Sequence, residues 1–182
     1  MLEISLHILD IVNNSVKAEA SLISIEVHEA ICENLLKISI EDNGCGMDKE
    51  FLEQVLDPFR TTRTTRKVGM GLSLFKAAAE NTGGNLAITS EKGVGTKVDV
   101  HFVYDHIDRQ PLGDMAETVL TLISGNTHID FVYTHSVDDK IFTLDTREVK
   151  QILGEEISLG SPEIVMWLSA YIKEGLEEIH LK

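Results

Sequence analysis

Apolar residues recur at Ile4, Ile8, Ile11, Val12 and Val16, at mixed three- and four-residue spacings, and this predicts a helix over residues 3–18. The rhythm then changes to two. The segments "SLISIEVHEAI" (21–31) and "LLKISIED" (35–42) alternate apolar and polar, and the break at Cys32, Glu33 and Asn34 predicts an antiparallel hairpin with one buried face. A short helix is expected near 48–56, with Asp48 as its N-cap and Pro58 as its stop. The stretch "DPFRTTRTTRKVG" has no hydrophobic period and reads as a loop. Residues 71–81, "GLSLFKAAAEN", return to a helical pattern that Gly83 and Gly84 end, and strands follow near 85–89 and 96–104 around "SEKGVG".

The first 104 residues therefore read αββααββ. Strand pairs alternating with helices, joined by short connections, imply an α/β two-layer sandwich, with helices on one face of a mixed, mostly antiparallel sheet. A boundary is expected in the polar "DHIDRQPLG" of 105–113, which divides the chain into domains 1–106 and 107–182. The second part reads as a small α+β unit. It has a helix at 112–124, a hairpin of 128–135 and 140–144 turning at Asp138 and Asp139, a helix capped by Asp145 or Thr146 running to Leu153, and a long final helix from Ser161-Pro162 to about residue 179.

Composition supports a chain folded nearly throughout: 43% of the 182 residues are hydrophobic, 25% are charged and only three are proline. The net charge of −14 disfavours nucleic acid and anionic membrane surfaces, which repel an acidic body. Against that background Arg60, Arg63, Arg66 and Lys67 stand out as a basic cluster that needs an anionic explanation. Cys32 and Cys45 are too few for a disulfide framework. The N-terminus lacks the basic region and cleavage site of a secretory signal, and no apolar run approaches the ~18 residues of a membrane span. A soluble, cytoplasmic protein is expected.

Candidate chemistry collects in four places. Asp10, Asn14 and Lys17 share one face of the first helix, a polar stripe that solvent alone would explain. In "EDNGCGM", Asp42 ends a strand, where its carboxylate can accept a hydrogen bond from an exocyclic amine, and Gly44 and Gly46 let backbone approach a flat ring; good turn chemistry would explain the same residues. In "KVGMGLSLF", Gly69 and Gly71 open a helix whose free N–H groups suit an anion, and the preceding Arg60, Thr61, Thr62, Arg63 and Lys67 carry groups that polyphosphate oxygens attract, although a solvated loop would look alike. In "EKGVGTKV", Thr96 can hold the Asp42 carboxylate if the two strands are neighbours, and the glycines would serve any hairpin. The histidines, among them His128, His135 and His180, read as scattered surface or sheet positions without ligand spacing.

In this order the four segments resemble the Bergerat ATP-binding fold of the GHKL superfamily, shared by DNA gyrase, Hsp90, histidine kinases and the mismatch-repair protein MutL. "DIVNNSVKA" is similar to its N box, which places an acidic residue (Asp10) four before a magnesium-binding Asn (Asn14). "DNGCGM", ending in Met47, looks like the adenine-binding box, with Asp42 as the adenine ligand. "DPFRTTRTTRKVGMGLSL" resembles the short ATP lid and second glycine box of histidine kinases, including Gly69, Met70, Gly71 and Leu72, and "GVGT" resembles the last box.

The resemblance implies ATP or ADP and Mg2+ as cofactors, Lys17 directed to phosphate, and Asp10 as the catalytic residue that polarises water or a hydroxyl. Hydrolytic relatives carry Glu at the Asp10 position, so slow hydrolysis is expected. Only nine residues precede Asp10, too few for a dimerising hairpin with a phosphoacceptor histidine, and His7 is not expected to serve as one. The implied function is regulatory phosphotransfer from ATP to a separate protein partner, with a slow ATPase switch or a non-enzymatic nucleotide-binding module as alternatives. Residues 107–182 carry six basic and fourteen acidic residues, which favours a protein contact, such as a partner or a homodimer, over DNA.

Overall fold

The computed structural model describes residues 3–56, 70–154 and 157–181. Helix α1 (Ile4–Lys17) leads into the hairpin β1 (Leu22–Ala30) and β2 (Leu35–Asp42). Helices α2 (Lys49–Leu56) and α3 (Met70–Glu80) precede β3 (Asn85–Glu91) and β4 (Gly95–Val103). The second half comprises α4 (Met115–Gly125), β5 (Asp130–Val137), β6 (Lys140–Asp145), α5 (Thr146–Leu153) and α6 (Pro162–His180). The expected caps at Asp48 and Asp145 form, Asp114 supplies one that the pattern did not mark, and Ser161 precedes α6 without a side-chain cap bond. The Asp48 carboxylate accepts from the Phe51 N–H, Asp114 from Glu117 and Asp145 from Arg147, each satisfying a backbone donor that the first turn of a helix leaves free.

All six strands form one sheet, in the order β3-β4-β2-β1-β5-β6. Every adjacent pair is antiparallel except β1 with β5, which run parallel. The sheet is thus mixed and mostly antiparallel, as the sequence pattern implied. Alternation gives it two different faces. Ile23, Ile25 and Val27 of β1, Leu36, Ile38 and Ile40 of β2, Val98, Val100 and Phe102 of β4, and Phe131 and Tyr133 of β5 are buried beneath the helices. The other face carries Glu41, Lys97 and Asp99 in exposed ion pairs.

Residues 107–182 continue this sheet. The β1–β5 ladder pairs eight residues, from Leu22 with Asp130 to Glu29 with Val137. The polar stretch before α4 is also tied down. The first two N–H groups of α1, on Ile4 and Ser5, donate to the carbonyls of Pro111 and Leu112 at 3.0 and 2.8 Å, and the Arg109 guanidinium lies 4.8 Å from the centre of the Tyr104 ring. The pairing of β5 with β1 joins elements more than a hundred residues apart, and a local hydrophobic rhythm carries no signal of it. Helix α6 lies against β6 through a stripe of Leu168, Ile172, Gly175 and Ile179. A Cβ at Gly175 would stand 2.2 Å from the Phe142 ring, so the close approach of α6 requires glycine there.

Candidate functional site

The strand register assembles one end of the helix-facing side into a polar row. Asp42 of β2 sits opposite Ile23 on one side and Thr96 of β4 on the other, and Thr96 in turn faces Ser90 of β3. Above this row runs the C-terminal half of α1. A cavity of about 750 Å3 opens between them, within the usual size of a small-molecule site. Asn14, Lys17, Asp42, Gly46, Met47, Leu72 and Thr96 all line it, so seven of the residues singled out from the sequence meet there. The rest of its wall is largely aliphatic and aromatic, including Ile11, Ile40, Phe51, Val55, Ile88 and Val98.

Asp42 is held in place from two directions. Ser15 Oγ donates to its Oδ2 at 2.5 Å and the Gly44 N–H donates to its Oδ1 at 2.9 Å. A carboxylate has about four acceptor sites, so lone pairs remain for a ligand. Thr96 does lie beside Asp42, but its hydroxyl is bonded to Ser90 Oγ at 2.8 Å; the residue holding the carboxylate is Ser15. Sequence reasoning passed over Ser15, although a hydroxyl on the stripe of Ile4, Ile8, Ile11 and Val12 was a usable signal, one that the buried Ser5 shares.

The loop after β2 is stitched to three elements. Cys45 N–H donates to the Ala18 carbonyl at 2.9 Å, Gly93 N–H to the Cys45 carbonyl at 2.8 Å, and Met47 N–H to Ser90 Oγ at 2.8 Å. Gly46 has φ +62°, and a Cβ on it would stand 2.0 Å from the Glu91 carbonyl oxygen. Its glycine is therefore required by the packing of the loop on the β3–β4 turn, a reason independent of any flat ring.

Asp10 lies outside the cavity wall, exposed and one turn before Asn14. A Cβ on Gly71 would stand 3.2 Å from its Oδ2, so the start of α3 packs against this carboxylate. Arg60, Thr61, Thr62, Arg63, Lys67 and Gly69 lie outside the described residues, as does the Met70 side chain. His7 is buried, stacked on Phe75 with ring centres 4.8 Å apart, and its Nε2 bonds Gln110 Oε1 at 3.0 Å. Burial lowers its pKa, so it is held neutral.

One expectation about the histidines fails. His135 and His180 are not scattered, because both place Nε2 on the same oxygen of Glu29, at 2.8 and 2.9 Å. Burial pushes the Glu29 pKa up, but hydrogen bonds from His135, Tyr104 and His180 outweigh it and hold the carboxyl down at about 2. Tyr133, bonded to His135 Nδ1 at 2.7 Å, is itself buried, which drives its phenol pKa far up.

The fold and this cavity define a class. Residues 3–106 match the family model described as histidine kinase-, DNA gyrase B- and HSP90-like ATPase. The chain belongs to that family. Over 89 residues it is 33% identical to the signal transduction histidine-protein kinase AtoS of Escherichia coli, covering 48% of this chain and 14% of that protein. Over 97 residues it is 32% identical to the histidine protein kinase DivJ of Caulobacter vibrioides, covering 51% and 16%. The chain thus spans less than a fifth of the length of these relatives.

Among solved structures, the Aquifex aeolicus MutL ATPase domain complexed with ADP superposes with a TM-score of 0.52 at 16% identity, over 84% of this chain and 69% of that one. The N-terminal domain of a DNA repair protein gives 0.56, also at 16% identity, over 85% and 58%. These two likenesses concern the fold. Among the described residues, no helix is long and apolar enough to cross a membrane.

Proposed function

We propose that this chain binds Mg-ATP in the Asp42 cavity and passes a phosphoryl group to a separate protein in the cytoplasm. The observation that carries the reading is Asp42 itself, a carboxylate fixed by Ser15 and Gly44 at the polar end of an otherwise apolar cavity. That donor set fits an adenine, because the remaining lone pairs can accept from an exocyclic amine while Ile40, Met47, Ile88 and Val98 offer apolar surface to a flat ring. Asn14 supplies an amide oxygen of the kind magnesium takes, and Lys17 a point charge for phosphate. The family resemblance assigns Arg60, Thr61, Thr62, Arg63, Lys67, Gly69, Met70, Gly71 and Leu72 to the phosphates, whose oxygens guanidinium, hydroxyl and backbone N–H groups attract. Bound ATP supplies the phosphoryl group, its charge offset by magnesium.

Asp10 serves as the base that orients the accepting hydroxyl. Its position beside Gly71, where α3 begins, supports this role. The shorter aspartate suits a positioned partner hydroxyl better than a free water. The acidic surface favours a protein as acceptor over a nucleic acid. The alternative is a slow ATPase switch in which 107–182 re-docks. The eight-residue ladder between β1 and β5 argues against that version, because re-docking would break the sheet.

The test follows labelled γ-phosphate in purified protein, alone and with candidate partners. Transfer that needs a partner, with little free phosphate released alone, is expected; free phosphate without a partner supports the switch, and intact ATP in both settings defeats both readings. Asp10→Asn is expected to lower turnover by about a hundredfold or more, the usual share of one general base, while nucleotide affinity changes less than about threefold. Lost affinity with unchanged turnover per bound nucleotide would remove Asp10 from the chemistry.

A further inference from the structure

Glu29 on β1, His135 on β5 and His180 in the last turn of α6 converge at the end of the helix-facing side opposite Asp42. One nitrogen from each histidine and one glutamate oxygen all lie within 4.8 Å of one another. We propose that these three side chains form a divalent transition-metal site, of the kind that takes Zn2+. Two imidazoles and one carboxylate are a donor set that zinc accepts, with a fourth position left for water. The half-exposed His180 gives that position access to solvent.

The outer partners match what a metal ligand needs. His180 Nδ1 bonds the Leu176 carbonyl at 2.7 Å, which fixes the proton on Nδ1 and turns the Nε2 lone pair inward. His135 Nδ1 is bonded to the Tyr133 hydroxyl at 2.7 Å, and the Tyr104 hydroxyl donates to the second oxygen of Glu29 at 2.9 Å. Each of the three ligands is thus oriented from behind.

Donor counting gives the second, independent argument. A carbonyl and a carboxylate both only accept, and a neutral imidazole has one N–H. With Nδ1–H committed to Leu176, a neutral His180 directs its Nε2 lone pair at a Glu29 oxygen. A cation shared between them removes that conflict, as a second proton on His180 also would, and the experiment below separates the two. An ion about 2.1 Å from each tetrahedral donor sets the donors about 3.4 Å apart, so the Glu29 oxygen retreats about half an ångström from each histidine and the two imidazole nitrogens, now within 4.8 Å of each other, take that same spacing. The site would clamp the end of α6 to β1 and β5, and α6 carries the negative end of its dipole there.

The experiment loads metal-free full-length protein with Zn2+ and measures stoichiometry by equilibrium dialysis and elemental analysis, with Co2+ as a spectroscopic substitute. One ion per chain, visible Co2+ bands of a low-coordinate nitrogen and oxygen site, and a Zn2+-dependent rise in melting temperature are expected. His180→Ala and His180→Gln, at a half-exposed position, are expected to weaken binding by more than about 100-fold and abolish the bands. His128→Ala is expected to change neither. Absence of Zn2+ binding, or equal binding by the His180 variants and the unaltered protein, overturns the proposal. So does a nitrogen NMR signature of doubly protonated His180 that persists in saturating Zn2+, which would mark the cluster as an ion pair alone.

Discussion

At the Asp42 end of the buried sheet face, a carboxylate keeps free lone pairs over a cavity; at the Glu29 end, a carboxylate is enclosed and receives three side chains. Glu29 pairs with Leu36, which is six residues from Asp42 on β2, so the two ends lie about 20 Å apart along the strand. The same face, the same alternation and the same side-chain group, a carboxylate, serve two purposes. What differs is the covering. Helix α1 leaves a gap of about 750 Å3 over the Asp42 row, whereas Tyr104 and the end of α6 close over Glu29, which is 5% exposed. The Asp42 carboxylate faces a cavity with room for a whole small molecule, whereas the Glu29 carboxylate faces only protein groups and, on the proposal above, a single ion.

Four outcomes would sharpen or break that contrast. Glu29→Gln is expected to cost about 3 kcal/mol of stability in chemical denaturation, because it removes the charge shared by a buried cluster, while nucleotide affinity stays unchanged. A stability loss below 1 kcal/mol would mean that this end is not enclosed in the way described. Gly175→Ala is expected to cost about 2 kcal/mol, since its Cβ would run into the Phe142 ring and push α6 off the sheet.

Asp42→Asn inverts the pattern. It should weaken Mg-ATP binding between roughly ten- and a hundredfold in calorimetry, the worth of one charge-assisted hydrogen bond, with thermal stability nearly unchanged. Affinity equal to the unaltered protein would remove Asp42 from the site.

The smallest effect concerns His7, which belongs to neither end. Its pKa is lowered from 6.5 by burial, so the folded chain binds fewer protons at this residue than the unfolded chain does. Stability therefore rises with pH through the window that lies below 6.5, and is lost as pH falls through it, by at most about 1.4 kcal/mol per pH unit. Comparing denaturation midpoints at several pH values for the unaltered protein and His7→Phe checks this, the variant being expected to lose that slope.

The two ends also differ in how far they could be read in advance. The residues of the Asp42 end fall in compact local segments: a polar stripe at i, i+4 and i+7 on α1, a turn after β2, Gly71 in the first turn of α3 and a hairpin turn. Each segment carries its candidate chemistry within one or two turns of chain, and their order, through the family resemblance, is what joined them. The Glu29 cluster draws on positions 29, 135 and 180, and nothing local connects them. His135 had the look of an ordinary sheet residue and His180 of a helix terminus. Ser15 falls between these cases, legible as a hydroxyl on an apolar stripe but without a partner until β2 was set beneath it.

By itself the sequence determined the main helices and strands, several of their caps and the buried face of each strand; that Asn14, Lys17, Asp42 and Met47 line one cavity was only implied by the family resemblance. The elements and their buried faces follow from periodicity, backbone preference and side chains within a few residues of each other. The tertiary structure alone decided that β5 lies parallel to β1, that Ser15 rather than Thr96 holds Asp42, and that Glu29, His135 and His180 meet. Each depends on which distant surfaces bury one another, and burial is a property of the whole packed chain.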